Sequence, residues 1–217
     1  EANNEYAETV TLSSETSLLP CTIECFLKLD GASDSNAGIV FYRSGSNSAS
    51  GLNMYGTSTG VKKLGYHWRN QSDTWGFSSG PTLGDATWYY VALVVESTKA
   101  TFYVIEEDGT LTTAENSVSH SALDCSNDGW YFARDSGYTN RDFQGYLDEV
   151  AVYDQALSQS TLEAHAAAAG FTSGYRSTII ADSPVAYWRL GEASGFTASD
   201  EIGSSDGTYG GDVTLGV

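Results

Sequence analysis

Residues 88–106 read Trp88-Tyr89-Tyr90-Val91-Ala92-Leu93-Val94-Val95, then Glu96-Ser97-Thr98-Lys99, then Ala100-Thr101-Phe102-Tyr103-Val104-Ile105-Glu106. Two runs rich in β-branched and aromatic residues, joined by a polar turn at Ser97-Thr98-Lys99, predict a long central β-hairpin that Asp108-Gly109 closes. Upstream, residues 21–29 alternate, with Cys21, Ile23, Cys25, Leu27 and Leu29 on one face. Residues 38–43 and 51–55 read as short strands between Ser-, Gly- and Asn-rich turns. Downstream, 130–133 and 145–153 read as two more. Many short strands at this spacing predict an all-β protein built as a β-sandwich.

One helix interrupts the pattern. Ser158 or Ser160 can cap it, Glu163 stands three residues after Ser160 as in a capping box, and Gly170 stops it after the Ala-rich run ending at Ala169. It is short and weakly amphipathic, which places it on the sandwich surface. Residues 170–183 then read as a linker. Strand character resumes at 185–190, and the last residues alternate, with Tyr209, Gly211, Val213, Leu215 and Val217 on one side.

The chain has 217 residues, 28 Asp+Glu against 10 Lys+Arg and a formal net charge of −18. Five Trp, 14 Tyr and eight Phe supply too much apolar surface for a disordered chain. Scattered cations cannot form the basic stripe that nucleic acid requires, and an anionic membrane would repel the protein. No run approaches the roughly 20 apolar residues of a membrane span. The sequence starts at Glu1 without Met or a signal peptide, so a mature or trimmed form is expected. Scarce lysine with abundant Ser, Thr, Gly and Asn predicts a secreted, extracellular or cell-surface protein. Cys21 and Cys25 would lie about 13 Å apart along one strand face, too far to bond to each other. Two readings stand: one of them forms a disulfide with Cys125, or all three are buried apolar thiols.

The stretch Phe143-Gln144-Gly145-Tyr146-Leu147-Asp148-Glu149-Val150-Ala151-Val152-Tyr153, followed by Gln155-Ala156-Leu157-Ser158, has the most specific pattern. It resembles the closing strand and following helix of laminin-G-like domains, members of the concanavalin A-like superfamily of jelly-roll β-sandwiches. Thr87-Trp88-Tyr89-Tyr90-Val91-Ala92 is similar to that family's central strand, with Tyr where the family often has His. Thr22-Ile23-Glu24-Cys25-Phe26 is similar to its early strand. The resemblance covers about 1–169. Asp148 shares the alternation of Val150 and Val152, and a carboxylate in an apolar row needs a cation, a donor set or water. The resemblance implies a structural Ca²⁺ at Asp148, with Asp200 as the matching acid in the tail.

Ser183-Pro184-Val185-Ala186-Tyr187-Trp188-Arg189-Leu190-Gly191-Glu192 looks like the beginning of such a domain, whereas Glu1 to Leu12 looks like one entered late. The expectation is a sandwich body at 1–169 lacking its first strands, with those strands at 184–217. The tail then completes a sandwich through Val185, Tyr187, Trp188, Leu190, Tyr209, Val213, Leu215 and Val217. Inserted into the next molecule, it gives a head-to-tail filament. Folded back across a linker reaching up to about 45 Å, it completes its own body. A third possibility is that it is a piece of the next repeat in a tandem array. Burying those side chains is worth on the order of 10 kcal/mol before ordering costs.

An aromatic-rich segment, Tyr66-His67-Trp68-Arg69-Asn70 with Thr74-Trp75, offers a lectin-like patch in which His67, Trp68, Arg69 and Trp75 bind a glycan. Its alternative is a strand pair whose Trp residues pack in the core. Catalysis lacks support: the superfamily's glycosidases use Glu-x-Asp-x-x-Glu, and Leu111 stands where the nearest string, Glu106-Glu107-Asp108, needs its last Glu. No catalytic residue is assigned. The reading is therefore a non-enzymatic structural or adhesive subunit that assembles with itself, or a carbohydrate-binding module.

Overall fold

A computed structural model of the chain describes residues 7–8, 17–31, 33–44, 48–56, 62–69, 71–125, 129–171, 194–199 and 206–208. The chain divides into two units, Glu1–Phe171 and Thr172–Val217. The first unit begins with β1 (Ala7–Glu8), β2 (Ser17–Leu18), β3 (Cys21–Leu29), β4 (Gly38–Ser44), β5 (Ser48–Tyr55) and β6 (Lys63–His67). It continues with α1 (Ser72–Trp75), β7 (Trp88–Val95), β8 (Ala100–Glu106), β9 (Leu111–Asn116), β10 (Leu123–Asp124) and β11 (Trp130–Phe132). β12 (Gly145–Tyr153) and α2 (Gln159–Ala168) complete it.

Among the described residues, one sheet has the order β1-β11-β4-β5-β6 and the other β12-β3-β7-β8-β9, all antiparallel; β10 pairs with β2 separately. The expected hairpin is β7–β8, in register from Tyr89↔Glu106 to Val95↔Ala100. The alternation of residues 21–29 is borne out. Cys21, Ile23, Cys25, Leu27 and Leu29 are fully buried between the sheets, with Val91, Leu93 and Phe102 from the neighbouring strands. Facing them from the first sheet are Val40, Tyr42, Leu52, Met54, Leu64, Tyr66 and Trp130. The result is the β-sandwich that the strand pattern predicts, of the jelly-roll kind that the resemblance implies.

The helix-bearing face of the second sheet holds a smaller core. Leu162 and Ala166 of α2 pack on Tyr90, Ala92, Val94 and Ile105. Ser158 caps α2, its hydroxyl accepting from the Thr161 amide, rather than Ser160 with Glu163. Gly170 follows the helix at φ 91°, a conformation that favours glycine.

The three cysteines are buried thiols, the second of the two sequence readings. Burial pushes the Cys21 thiol up, helped by Cys125 nearby, and pushes Cys25 up to about 12.

The second unit contains β13 (Thr197–Ala198) and β14 (Gly207–Thr208), paired antiparallel with Thr197 opposite Thr208. The tail strands expected at 185–190 and 209–217 lie outside the described residues. So do Val185, Tyr187, Trp188, Leu190, Tyr209, Val213, Leu215, Val217 and Asp200. No helix among the described residues is long and apolar enough to cross a membrane.

Candidate functional site

The outward face of the first sheet is built around a glycine. Gly51 of β5 stands between Phe41 of β4 and His67 of β6 in the ladders. Its φ is +131°, and a Cβ there would meet the Val40 carbonyl oxygen at 2.3 Å, so glycine is required. Across it the Phe41 and His67 rings meet edge to face, 5.5 Å between centroids, and Trp75 of α1 stands edge to face on His67 at 5.8 Å.

Arg43 extends the same face of β4 into the loop that joins β11 to β12. Asp135, fully buried, accepts from Arg43 Nε at 2.8 Å, Arg43 Nη2 at 2.7 Å, Arg141 Nη1 at 2.9 Å and the Gly137 amide at 3.1 Å. Gly137 carries no side chain because a Cβ would lie 2.5 Å from Arg43 Cζ. The Arg141 guanidinium carbon sits 3.6 Å from the Tyr138 ring centroid and that of Arg43 sits 5.4 Å from it. Two rings are half exposed: Tyr138, 47%, over these guanidiniums, and Trp75, 46%, on the His67 ring.

The sequence-predicted patch divides here. Trp75 and Arg69 are exposed, but Trp68 is fully buried and His67 nearly so. This corrects the expectation that Trp68 and His67 present themselves to a glycan. β6 ends at His67, so Tyr66 and Trp68 alternate into the core while His67 faces the other way beneath Trp75. Trp68 Nε1 donates to the Ser121 carbonyl at 2.7 Å and its amide donates to Thr74 Oγ1 at 3.0 Å, tying β6 to α1. Tyr138 and the Arg43–Asp135–Arg141 network carried no recognisable motif, because loop residues 92 positions from their partner converge only in the fold.

Burial, with the Arg141 and Arg43 charges behind it and Asp135 opposing, lowers His67 to about 4. Its Nδ1 is buried without a hydrogen-bond partner. Because the folded value lies below the unfolded one, the unfolded chain takes up the proton first as pH falls. Stability is intact above about pH 6.5 and declines down to about pH 4, by about 3 kcal/mol in total. Burial lowers His120 as well, in the same direction. Urea unfolding at pH 7 and pH 4 measures the loss. In His67→Phe, which keeps the ring and removes this titration, the His67 share of it disappears and the His120 share stays.

Asp148 is also placed differently. A register shift between Asp148 and Ala151 inserts a bulge in which Glu149 adopts φ 48°. Val150 and Val152 therefore pack on the inter-sheet core, while Asp148, opposite Phe26, takes the helix-bearing face and is exposed. The expectation of a carboxylate sharing an apolar row is corrected by that bulge. Among the described residues no group of three or more His, Cys, Asp or Glu is placed to hold a metal ion.

Comparison with known proteins agrees with this architecture. Among solved structures, the chain is similar to a heptameric SAP-like pentraxin from Limulus polyphemus (TM-score 0.50, 17% identity, covering 75% of this chain and 76% of that one). It is also similar to domain 4 of AbnA, an extracellular arabinanase from Geobacillus stearothermophilus (TM-score 0.48, 14% identity, 70% and 68% covered). A third is a putative carbohydrate binding protein from Bacteroides ovatus (TM-score 0.48, 18% identity, 74% and 44% covered). No curated protein matches the sequence. The model of the concanavalin A-like lectin/glucanases superfamily, laminin G type, matches residues 2–163. With two sheets in this order and that match across most of its length, the chain belongs to the concanavalin A-like lectin/glucanases superfamily.

Proposed function

We propose that the sandwich is an extracellular, non-enzymatic carbohydrate-binding module whose platform is Trp75 and Tyr138. The observation that carries this is the pair of half-exposed rings, Trp75 standing on the His67 ring and Tyr138 on the Arg141 guanidinium. Sugar rings stack their C–H faces on such aromatics, and the exposed edge of Arg141 supplies donors for hydroxyl oxygens. The carboxylate beneath Tyr138, Asp135, is fully buried and occupied by two arginines, so it is not available as a general acid or base. Arg69, exposed beside α1, extends the surface. Glycan arrays followed by titration of the best oligosaccharide test the reading. Trp75→Ala and Tyr138→Ala are each expected to weaken binding about tenfold, the loss of one stacking contact, with little change in melting temperature. Undiminished binding by both variants would sink it.

Head-to-tail assembly is a second reading. It is favoured by the family match ending at residue 163 while Thr172–Val217 clusters as a unit of its own. In it Val185, Tyr187, Trp188, Leu190, Tyr209, Val213, Leu215 and Val217 complete a neighbour, and Ca²⁺ between Asp148 and Asp200 locks the joint. One feature opposes strand addition on the outer edge of β12: its bulge and the acidic pair Asp148–Glu149 blunt that edge. Deleting 184–217 is expected to turn filaments into monomers in sedimentation and electron microscopy, and chelation to loosen them. A full-length chain that sediments as a monomer of about 23 kDa with or without calcium defeats the idea.

A further inference from the structure

On the helix-bearing face of the second sheet lies a cavity of about 500 Å³ that the glycan platform does not use. Glu24 and Phe26 of β3, Tyr90 of β7, Glu149 and Tyr153 of β12, and His165 of α2 line it. Glu24 is only 7% exposed. Its carboxylate accepts from Tyr90 Oη at 2.5 Å, from Tyr153 Oη at 2.8 Å and from His165 Nδ1 at 3.1 Å. Burial and the bond to Glu24 keep the phenols protonated, pushing Tyr153 up to about 12 and Tyr90 up as well.

The direction of these bonds decides what the cavity can recognise. A phenol has one hydrogen, and Glu24 consumes the hydrogens of both phenols as well as the bond that His165 Nδ1 makes. What these side chains retain is acceptors: two phenol oxygens and the Glu149 carboxylate. The Glu149 amide is spent on Asp148 Oδ1 at 2.9 Å. A second cavity of about 310 Å³ shares Phe26 and Glu149 and adds Trp88 and Asp148. The chain already seats an ammonium on this face, since Lys28 Nζ lies 5.3 Å from the Trp88 ring centroid and 4.7 Å from that of Tyr146.

We propose that this cavity binds a small primary amine. The ammonium has three donors and no acceptor, the complement of phenols that have spent their own hydrogens on Glu24. Glu149 and Tyr153 Oη receive it, the Glu24 charge stands behind them, and the Phe26 ring is the apolar wall. A neutral polyol brings as many acceptors as donors and leaves its acceptors unmatched here.

Amide-resolved NMR titration of the full chain tests this with Nα-acetyl-lysine methylamide and, separately, glucosamine, each paired with its N-acetylated counterpart. At least one amine is expected to shift the Glu149, His165 and Ala168 amides to saturation, and its acetylated form to leave them unmoved. A response to the lysine analogue identifies a peptide side chain as the source, and a response to glucosamine an amino sugar. Glu149→Gln, exposed on the bulge and outside the Glu24 bonds, is expected to weaken binding at least about tenfold, the loss of one charge-assisted contact. Trp75→Ala leaves it unchanged, which separates this site from the glycan platform. The proposal is overturned if neither amine shifts those amides, if acetylation makes no difference, or if Glu149→Gln binds as tightly as the parent.

Discussion

Asp135→Asn is expected to destabilise the sandwich by about 3–5 kcal/mol, the cost of removing one partner from a buried ion pair. The substitution keeps the shape and exchanges a carboxylate oxygen for an amide that donates toward guanidinium groups. Arg43, 7% exposed, would then carry its charge without a counterion, and Arg141 would lose the bond that holds it beneath Tyr138. The loop carrying Tyr138 is fastened by the same carboxylate through the Gly137 amide, so glycan affinity falls together with stability. Urea unfolding at pH 7 reads the first effect and a binding titration the second. The double variant Arg43→Met, Asp135→Asn is expected to lose less than the sum of its parts, because it no longer buries an unpaired charge. A loss below about 1 kcal/mol in the single variant would mean that the network is not the fastening described.

Trp68→Ala is expected to cost about 3–5 kcal/mol, the range for emptying a fully buried aromatic site. It also removes the bond to the Ser121 carbonyl, leaving that oxygen without its donor. Trp75→Ala, seven residues on, is expected to cost less than about 1 kcal/mol, because nearly half of that ring already meets water. The two variants separate stability from recognition: the first unfolds the domain on mild heating, the second folds normally and binds glycan weakly. Circular dichroism melting of both chains checks the contrast. Equal melting temperatures would show that Trp68 does not hold β6 to the core.

Much of the sandwich was legible because a half-buried strand writes its burial into alternate residues. Cys21 to Leu29 and Trp88 to Glu106 could be read that way, and their register follows from keeping the apolar set inward. α2 was legible from its Ser158 cap, its Ala run and Gly170. The segment around Trp68 was less so. Alternation over three residues is too short to tell a lectin loop from a strand end, and burial alone separates Trp68 from Trp75. Asp148 was misplaced for a related reason: a bulge adds one residue to one strand, reverses the alternation beyond it and leaves no mark in composition.

Composition and strand periodicity are properties of local sequence, and they settled the all-β class and the inward face of β3. The functional surfaces needed the tertiary fold, because their members are far apart along the chain. Arg43 meets Asp135 across 92 positions, and Glu24 meets His165 across 141. Such contacts arise only when β4 lies under the loop after β11, or α2 lies over β3, and backbone pairing brings those elements together without any signature in the side chains that meet.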